Sequence, residues 1–410
     1  MDKIINPSFN SLNSSYVGWR RSFLDRVLDR FFGGIEFGNL TIELPSGSIR
    51  TFDGEFLGPQ ATLRVRSGGF VRRVLLGGDL GLAESFIAGD WDTPDLSELL
   101  KLGAANAAAF GESLSRHAAI RMLNRLRHAR RSNTRAGSRR NIMAHYDLGN
   151  AFYSHWLDET MSYSSALFDR LNEPHEVAQR RKYMRIAAQL ELQPGDRVLE
   201  IGCGWGGFAE IAAGEFGCHV IGLTLSREQA EFTRRRMLGL GLTDRVEIRL
   251  QDYRDVTDCF DKVASIEMFE AVGEENWTTY FRAIERILRP HGRACLQAIT
   301  IDEQCFENYR NDPDFIQQYI FPGGMLPTRE RLEAVAFDAG MRIKDSHFFG
   351  NCYAESLRRW RGSFTSAWPK IASLGFDRRF ERMWTYYLCY CEAGFESGKI
   401  DVGQFLFIRS

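Results

Sequence analysis

The stretch VLEIGCGWGGF, residues 198–208, passes from a buried-strand pattern into glycines at 202, 204, 206 and 207 and then into a helix. Glycines at such a point allow a tight left-handed turn and let a ligand approach the backbone. A glycine-rich strand-to-helix turn also suits a dinucleotide, and two details separate the readings. Gly202, Gly204 and Gly206 are spaced GxGxG, one residue short of the GxGxxG that seats a pyrophosphate. The following strand ends in Leu223-Thr224-Leu225-Ser226, without the acidic residue that would hold an NAD ribose. S-adenosylmethionine carries no phosphate and can be held by backbone groups and small polar side chains, so the loop favours a methyl donor over NAD.

On both sides of this loop the text alternates between strands and helices. Strand patterns fall at 197–202, 219–225, 245–252, 262–269, 293–301, 341–349 and 403–410, with helical stretches such as GFAEIAAGEF and REQAEFTRRRMLGL between the early ones. That alternation predicts an α/β fold with a parallel sheet covered on both faces. Five βα units and two late strands predict a Rossmann-like methyltransferase sheet of seven strands, the last one antiparallel. Upstream, residues 16–32 have helical apolar spacing, 37–76 read as strand-like, and 81–100 read as two helical pieces around a turn at Gly89–Pro94. These make a small mixed N-terminal domain. The expected organisation is residues 1–112, a basic linker over 113–144, and a catalytic domain over 145–410.

With 44% hydrophobic and 26% charged residues and a net charge of −1, the 410-residue chain is ordinary globular protein and makes no case for nucleic acid. Its 8 cysteines are scattered, with no CxxC pair and no zinc-ligand spacing, so no metal is expected and a reducing cytoplasm is. No secretory leader or bilayer-spanning run is evident, which predicts a soluble or membrane-peripheral protein. One stretch departs from the average: residues 113–146 hold nine arginines and three histidines and no acid. A solvated linker explains such a block, and so does a polyanionic partner.

The blocks HYDLGNAFYSHWLDETMSYSSALF (145–168), VLEIGCGWGGF (198–208), GLTLSREQ (222–229), LQDYRD (250–255), SIEMFEAVG (265–273) and YIFPGGMLP (319–327) together resemble the cyclopropane fatty acid synthase and mycolic acid methyltransferase family. The likeness spans residues 80–400. It implies a cofactor site at Tyr163, Ser164, Gly202, Gly204, Gly206, Thr224, Gln229, Tyr253 and Arg254. It also implies an N-terminal lipid-engaging domain and an acceptor that is a double bond in an unsaturated phospholipid acyl chain, reached at the inner face of the membrane; a homodimer stays open. In such chemistry alkene π electrons attack the sulfonium methyl, and the carbocation then loses a proton. Aromatic faces stabilise cations, and Phe152, Tyr163, Phe269, Phe315, Tyr319 and Tyr353 are the candidates. Family members hold a bicarbonate as proton acceptor; the matching positions are Ser165, Glu270, Gln297, Ile299 and Tyr353. Ser165 replaces a cysteine and Gln297 a histidine, and Ala271 replaces another histidine. The Gln297 change removes a group that can carry charge, so the product could be a cyclopropane or a methyl-branched or methylene chain. The role of Glu267 stays open. The alternative of a different class is a non-catalytic lipid-binding protein.

If the basic segment meets anionic lipid, replacing four of its arginines by glutamine weakens vesicle binding, and added salt mimics the substitution. Flotation with anionic vesicles checks this; binding indifferent to both changes leaves the segment a linker.

Overall fold

The computed structural model describes residues 23–107, 109 and 148–409; the basic segment predicted as a linker lies outside the described residues. Among the described residues, no helix is long and apolar enough to cross a membrane.

The N-terminal part opens with helix α1 (Phe23–Phe32), then strands β1 (Phe37–Glu43), β2 (Ile49–Asp53) and β3 (Phe56–Val65), helix α2 (Gly69–Ile87), the short strand β4 (Trp91–Asp92) and helix α3 (Leu96–Ala105). The strands form one sheet in the order β2-β1-β3-β4. Alternation along β1 and β3 buries Leu40, Ile42, Ala61, Leu63 and Val65 on one face, as half-covered strands require. The strand-like reading of 69–76 does not hold. Phe70 and Val74 are buried four residues apart at the start of α2, a helical spacing, and Gly78 at φ 56° kinks that helix. Asp95 caps α3 by accepting a hydrogen bond from the Glu98 amide. At its other end the Asn106 side chain accepts from the Glu36 and Phe37 amides and donates to the Phe37 carbonyl, tying α3 to β1.

The second part begins with α4 (Asn150–Ser154) and α5 (His175–Leu190). The strands β5 (Arg197–Ile201), β6 (His219–Thr224), β7 (Val246–Leu250), β8 (Phe260–Ile266), β9 (Leu288–Ile301), β10 (Met341–Phe348) and β11 (Ile400–Arg409) then alternate with helices, chiefly α6 (Gly207–Gly214), α7 (Arg227–Gly239), α8 (Trp277–Ile287), α9 (Glu303–Asn311) and α10 (Arg329–Asp338). They form one sheet in the order β10-β11-β9-β8-β5-β6-β7, with β11 antiparallel to both neighbours and the inner pairs parallel. This is the predicted methyltransferase sheet. The order reverses beside β5, so the crevice outside the carboxyl ends of β5 and β8 is where a ligand belongs in such a sheet.

Two long helices, α11 (Gly350–Ser373) and α12 (Arg378–Glu396), link β10 to β11. One continuous core contains Leu63, Trp91 and Leu102 from the first sheet region together with Trp156, Trp360 and Trp384 from the second. Phe86 packs 5.7 Å from Tyr386 of α12, measured between ring centroids. Arg382 lies over the Phe86 ring and donates to the carbonyls of Phe86 (2.5 Å) and Trp91 (2.7 Å) and to Asp92 (2.9 Å).

Arg382→Ala should therefore strand two carbonyls at a buried seam and lower stability by about 2–4 kcal/mol. Urea unfolding monitored by tryptophan fluorescence checks it, and an unchanged midpoint would show the seam contributes nothing.

Candidate active site

The glycine loop turns as its spacing predicts: Gly202, Gly204 and Gly206 have φ of 82°, 50° and 86°. The amides of Gly202 and Cys203 donate to the Leu223 carbonyl (3.0 and 2.8 Å), which pins the turn to the end of β6. At that end Thr224 Oγ1 donates to Gln229 Oε1 at 2.8 Å, and Ser226 caps α7 by accepting from the Gln229 amide. After β7, the Arg254 guanidinium grips the Asp252 carboxylate at 2.6 and 2.8 Å, fixing the Tyr253-Arg254 turn. Tyr163, Ser164, Gly202, Gly204, Thr224, Gln229, Tyr253 and Arg254 line one cavity of about 150 Å³. Gly206 stands apart from the rest of the predicted cofactor set. A Cβ there would sit 2.5 Å from Thr233, so this glycine serves the packing of loop against α7.

Two charged residues of this region escaped the sequence reading. Glu200, at the end of β5, lines the cavity; burial pushes its carboxyl up to about 8, and its Oε2 is buried without a partner among the described residues. Lys182, fully buried on α5, donates to Ser164 Oγ at 2.6 Å, and burial brings its ammonium down to about 8. In the text RRKYM, Lys182 is indistinguishable from a solvated basic face.

A second cavity, of about 580 Å³, runs from this point between the two halves of the molecule. Its walls are largely apolar. Leu40, Leu63 and Leu99 come from the N-terminal part, and Phe321, Tyr387 and Phe395 from the second. Tyr163, Glu267 and Ala271 line both cavities and so mark where they meet. Of the six aromatics proposed from sequence, Tyr163 and Tyr353 reach this cavity. Phe152 and Phe269 are buried among other rings, Phe315 stacks on Tyr319, and the Tyr319 hydroxyl donates to Glu84. Tyr386, Tyr387 and Tyr390, which also face the cavity, lie in a helix that sequence reading did not single out.

Three of the five residues matched to a bicarbonate site converge, but on a side chain. Glu267 leaves β8 with φ 50°, a left-handed conformation uncommon outside glycine. Its Oε1 accepts from the Ser165 amide and from Gln297 Nε2, both at 2.8 Å, and its Oε2 accepts from the Tyr353 hydroxyl at 2.6 Å. Ser165 contributes only its backbone amide here, since its hydroxyl is turned to the Ala166 carbonyl. The Gln297 amide is oriented by a relay. Arg185, a donor only, bonds Gln404 Oε1, and Gln404 Nε2 donates to Gln297 Oε1 at 3.0 Å, so the Gln297 NH₂ must face Glu267. Glu270 lies alongside: Ile299 N donates to its Oε1 at 2.5 Å, and its Oε2 is buried and unpartnered among the described residues. Burial first, and then the charge of Glu267, push the Glu270 carboxyl up to about 8. Bicarbonate does not fit the site as predicted, because the donors of Ser165, Gln297 and Tyr353 already end on Glu267.

Residues 133–405 match the family model described as mycolic acid cyclopropane synthetase. The chain belongs to that family. It is 41% identical over 352 residues to a tuberculostearic acid methyltransferase of Mycobacterium tuberculosis, covering 84% of this chain and 82% of the relative. It is 38% identical over 355 residues to the cyclopropane-fatty-acyl-phospholipid synthase of Escherichia coli K12, covering 85% and 88%. A solved mycolic acid cyclopropane synthase complexed with SAH and CTAB superposes with a TM-score of 0.62 at 30% identity, over 66% of this chain and 97% of that one. The chain is thus an S-adenosylmethionine-dependent methyltransferase. Its cofactor, which supplies an electrophilic methyl on a sulfonium, fits the smaller cavity. Glu200 Oε2, buried without a partner among the described residues, can meet a polar group of such a ligand, and a Cβ at Gly204 would enter open space.

Gly204→Asn tests the loop, because asparagine enters the left-handed region more readily than other residues. Cofactor affinity should fall on the order of tenfold or more while the melting temperature stays within about 4 °C. Calorimetric titration with S-adenosylhomocysteine checks it, and wild-type affinity would remove Gly204 from the binding site.

Proposed function

We propose that this enzyme transfers the methyl group to a carbon–carbon double bond in a phospholipid acyl chain. The observation that carries the reading is the junction: a long, mostly apolar cavity meets the cofactor cavity at Tyr163, Glu267 and Ala271. An alkene is a weak nucleophile, so it must be held in line with the methyl and away from water. An acyl chain in this cavity is desolvated along its length, and the rings of Tyr163 and Tyr353 border the place where positive charge develops. The names of the Escherichia coli and Mycobacterium relatives support a fatty-acyl acceptor.

In this reading Tyr163, Ser164, Thr224, Gln229, Tyr253 and Arg254 form the cofactor site with Gly202 and Gly204. Residues 1–112 engage the lipid, and the basic segment 113–144 holds the enzyme against an anionic inner membrane face. One of these relatives is named for cyclopropane and one for tuberculostearic acid. Proton loss from the added methyl closes a ring; when a hydride shift first moves the cation to the methyl-bearing carbon, proton loss from that methyl leaves a methylene chain. A saturated branch needs two further electrons, which methyl transfer does not supply, so it would require a separate reductive step.

Mass spectrometry of fatty acids from cells fed methyl-labelled methionine, with and without the expressed enzyme, should show unsaturated chains gaining one labelled carbon. Cyclopropane and methylene products are isomers and separate after ozonolysis. Label confined to oxygen or nitrogen would end the reading.

A further inference from the structure

We propose that Glu267 is the proton acceptor of the reaction, a resident carboxylate standing in the anion position at the meeting of the two cavities. This rests on the alkene reading above and adds the group that finishes the chemistry. Three donors from three separate elements converge on the carboxylate: the Ser165 amide before α5, Gln297 on β9 and Tyr353 on α11. Such convergence builds an anion site, and here the anion is covalently part of the chain. A carboxylate offers about four lone-pair positions; Oε1 uses two and Oε2 one, which leaves an Oε2 position open beside the cavity that Glu267 lines. The backbone at Glu267 is held at φ 50°, and a non-glycine residue keeps such a conformation where its surroundings impose it.

The step balances within the lipid and the side chain. After the alkene π pair has formed its bond to the methyl carbon in place of the bond to sulfur, a C–H bond of the added methyl breaks, directly or once a hydride shift has moved the cation to the methyl-bearing carbon. Its electron pair forms the ring bond or the new double bond, and the proton passes to Glu267 Oε2. The supply of hydrogen-bond donors distinguishes the two neighbouring carboxyls. Glu270 has one amide donor and is pushed up to about 8, so it is protonated at neutral pH and adds no repelling charge. Burial raises the Glu267 carboxyl too, which makes it a better base, while Tyr353, the Lys182 charge and Gln297 oppose that rise. Burial raises both carboxyls, and what separates their tasks is the three donors at Glu267 against the single amide at Glu270.

The test has an arm without mutation, an arm with activity and an arm without lipid. Wild-type enzyme assayed in carbon-dioxide-free buffer should keep its full rate, and bicarbonate should not raise it. Glu267→Gln should lose about 100-fold or more in turnover, the usual size of a general-base contribution, with S-adenosylhomocysteine affinity within about threefold. Glu267→Gly, which suits the local backbone, should open an anion-sized gap. It should regain turnover with added bicarbonate or formate, and ¹³C-bicarbonate NMR should detect binding to it and not to the wild type. The NMR arm needs no acceptor lipid, so it stands or falls separately from the alkene assignment. Bicarbonate-dependent wild-type activity, full activity in Glu267→Gln, or bicarbonate binding equally to wild type and Glu267→Gly would each overturn the proposal.

Discussion

The packing of α12 between the two sheet regions is the contact on which the rest of the molecule depends. One helix supplies Arg382 and Tyr386 to the N-terminal part, Trp384 to the ring cluster around Phe152 and Trp156, and Tyr387 to the cavity wall. Each fully buried large side chain contributes on the order of 2–3 kcal/mol from removed apolar surface. The cavity is walled by both halves, so it exists only while this seam is closed. Holding an alkene dry and fixing the N-terminal part are therefore the same structural requirement. A molecule whose halves met weakly would admit water to a carbocation, which would be trapped as an alcohol before it could lose a proton.

That dryness has electrostatic consequences. Glu200, Lys182, Glu267 and Glu270 are all enclosed, and in each the largest influence on ionisation is desolvation. Removing water makes the charged form of every one less favourable. What then distinguishes them is the local supply of donors. Glu267 has three, Glu270 has one amide, and Glu200 retains a bare oxygen toward the cofactor cavity. The pattern distinguishes chemically identical groups by their partners: one carboxyl held by three donors, one by a single amide, and one with an oxygen left without a partner among the described residues.

Much of the fold was legible because its signals are local. Each of the seven strands of the large sheet carries its own apolar run, and the loop at Gly202–Gly206 declares its turn through residues that tolerate positive φ. The antiparallel placement of β11 followed from the resemblance of the whole pattern to a methyltransferase sheet, and β11 does pair antiparallel with β9 and β10. The start of α2 was misread because VRRVLL serves a strand or a helix equally, and only tertiary burial of Phe70 and Val74 decides it. The site was partly legible. Sequence placed Ser165, Gln297, Ile299 and Tyr353 with Glu270, whereas Ser165, Gln297 and Tyr353 meet Glu267, three residues earlier, and only Ile299 meets Glu270. That arrangement depends on the left-handed backbone at Glu267, a conformation that no side-chain pattern announces. Glu200 and Lys182 were invisible for the same reason: burial, not residue type, makes them unusual.

The substitution that looked most damaging in the sequence becomes consistent once Glu267 is in view. A cationic histidine at position 297 would pair with a resident carboxylate in a medium of low dielectric, where such attraction is strong, and would draw the carboxyl toward acidity. A neutral amide donates a hydrogen bond without adding charge, so it orients the carboxylate and leaves more of its basicity intact. The relay from Arg185 through Gln404 supports this role, because it fixes which end of the Gln297 amide faces Glu267 while keeping the arginine charge two side chains away. A freely bound anion gains from a charged partner that retains it. A covalently tethered one has no need of retention, and for it a neutral, oriented donor is the better neighbour.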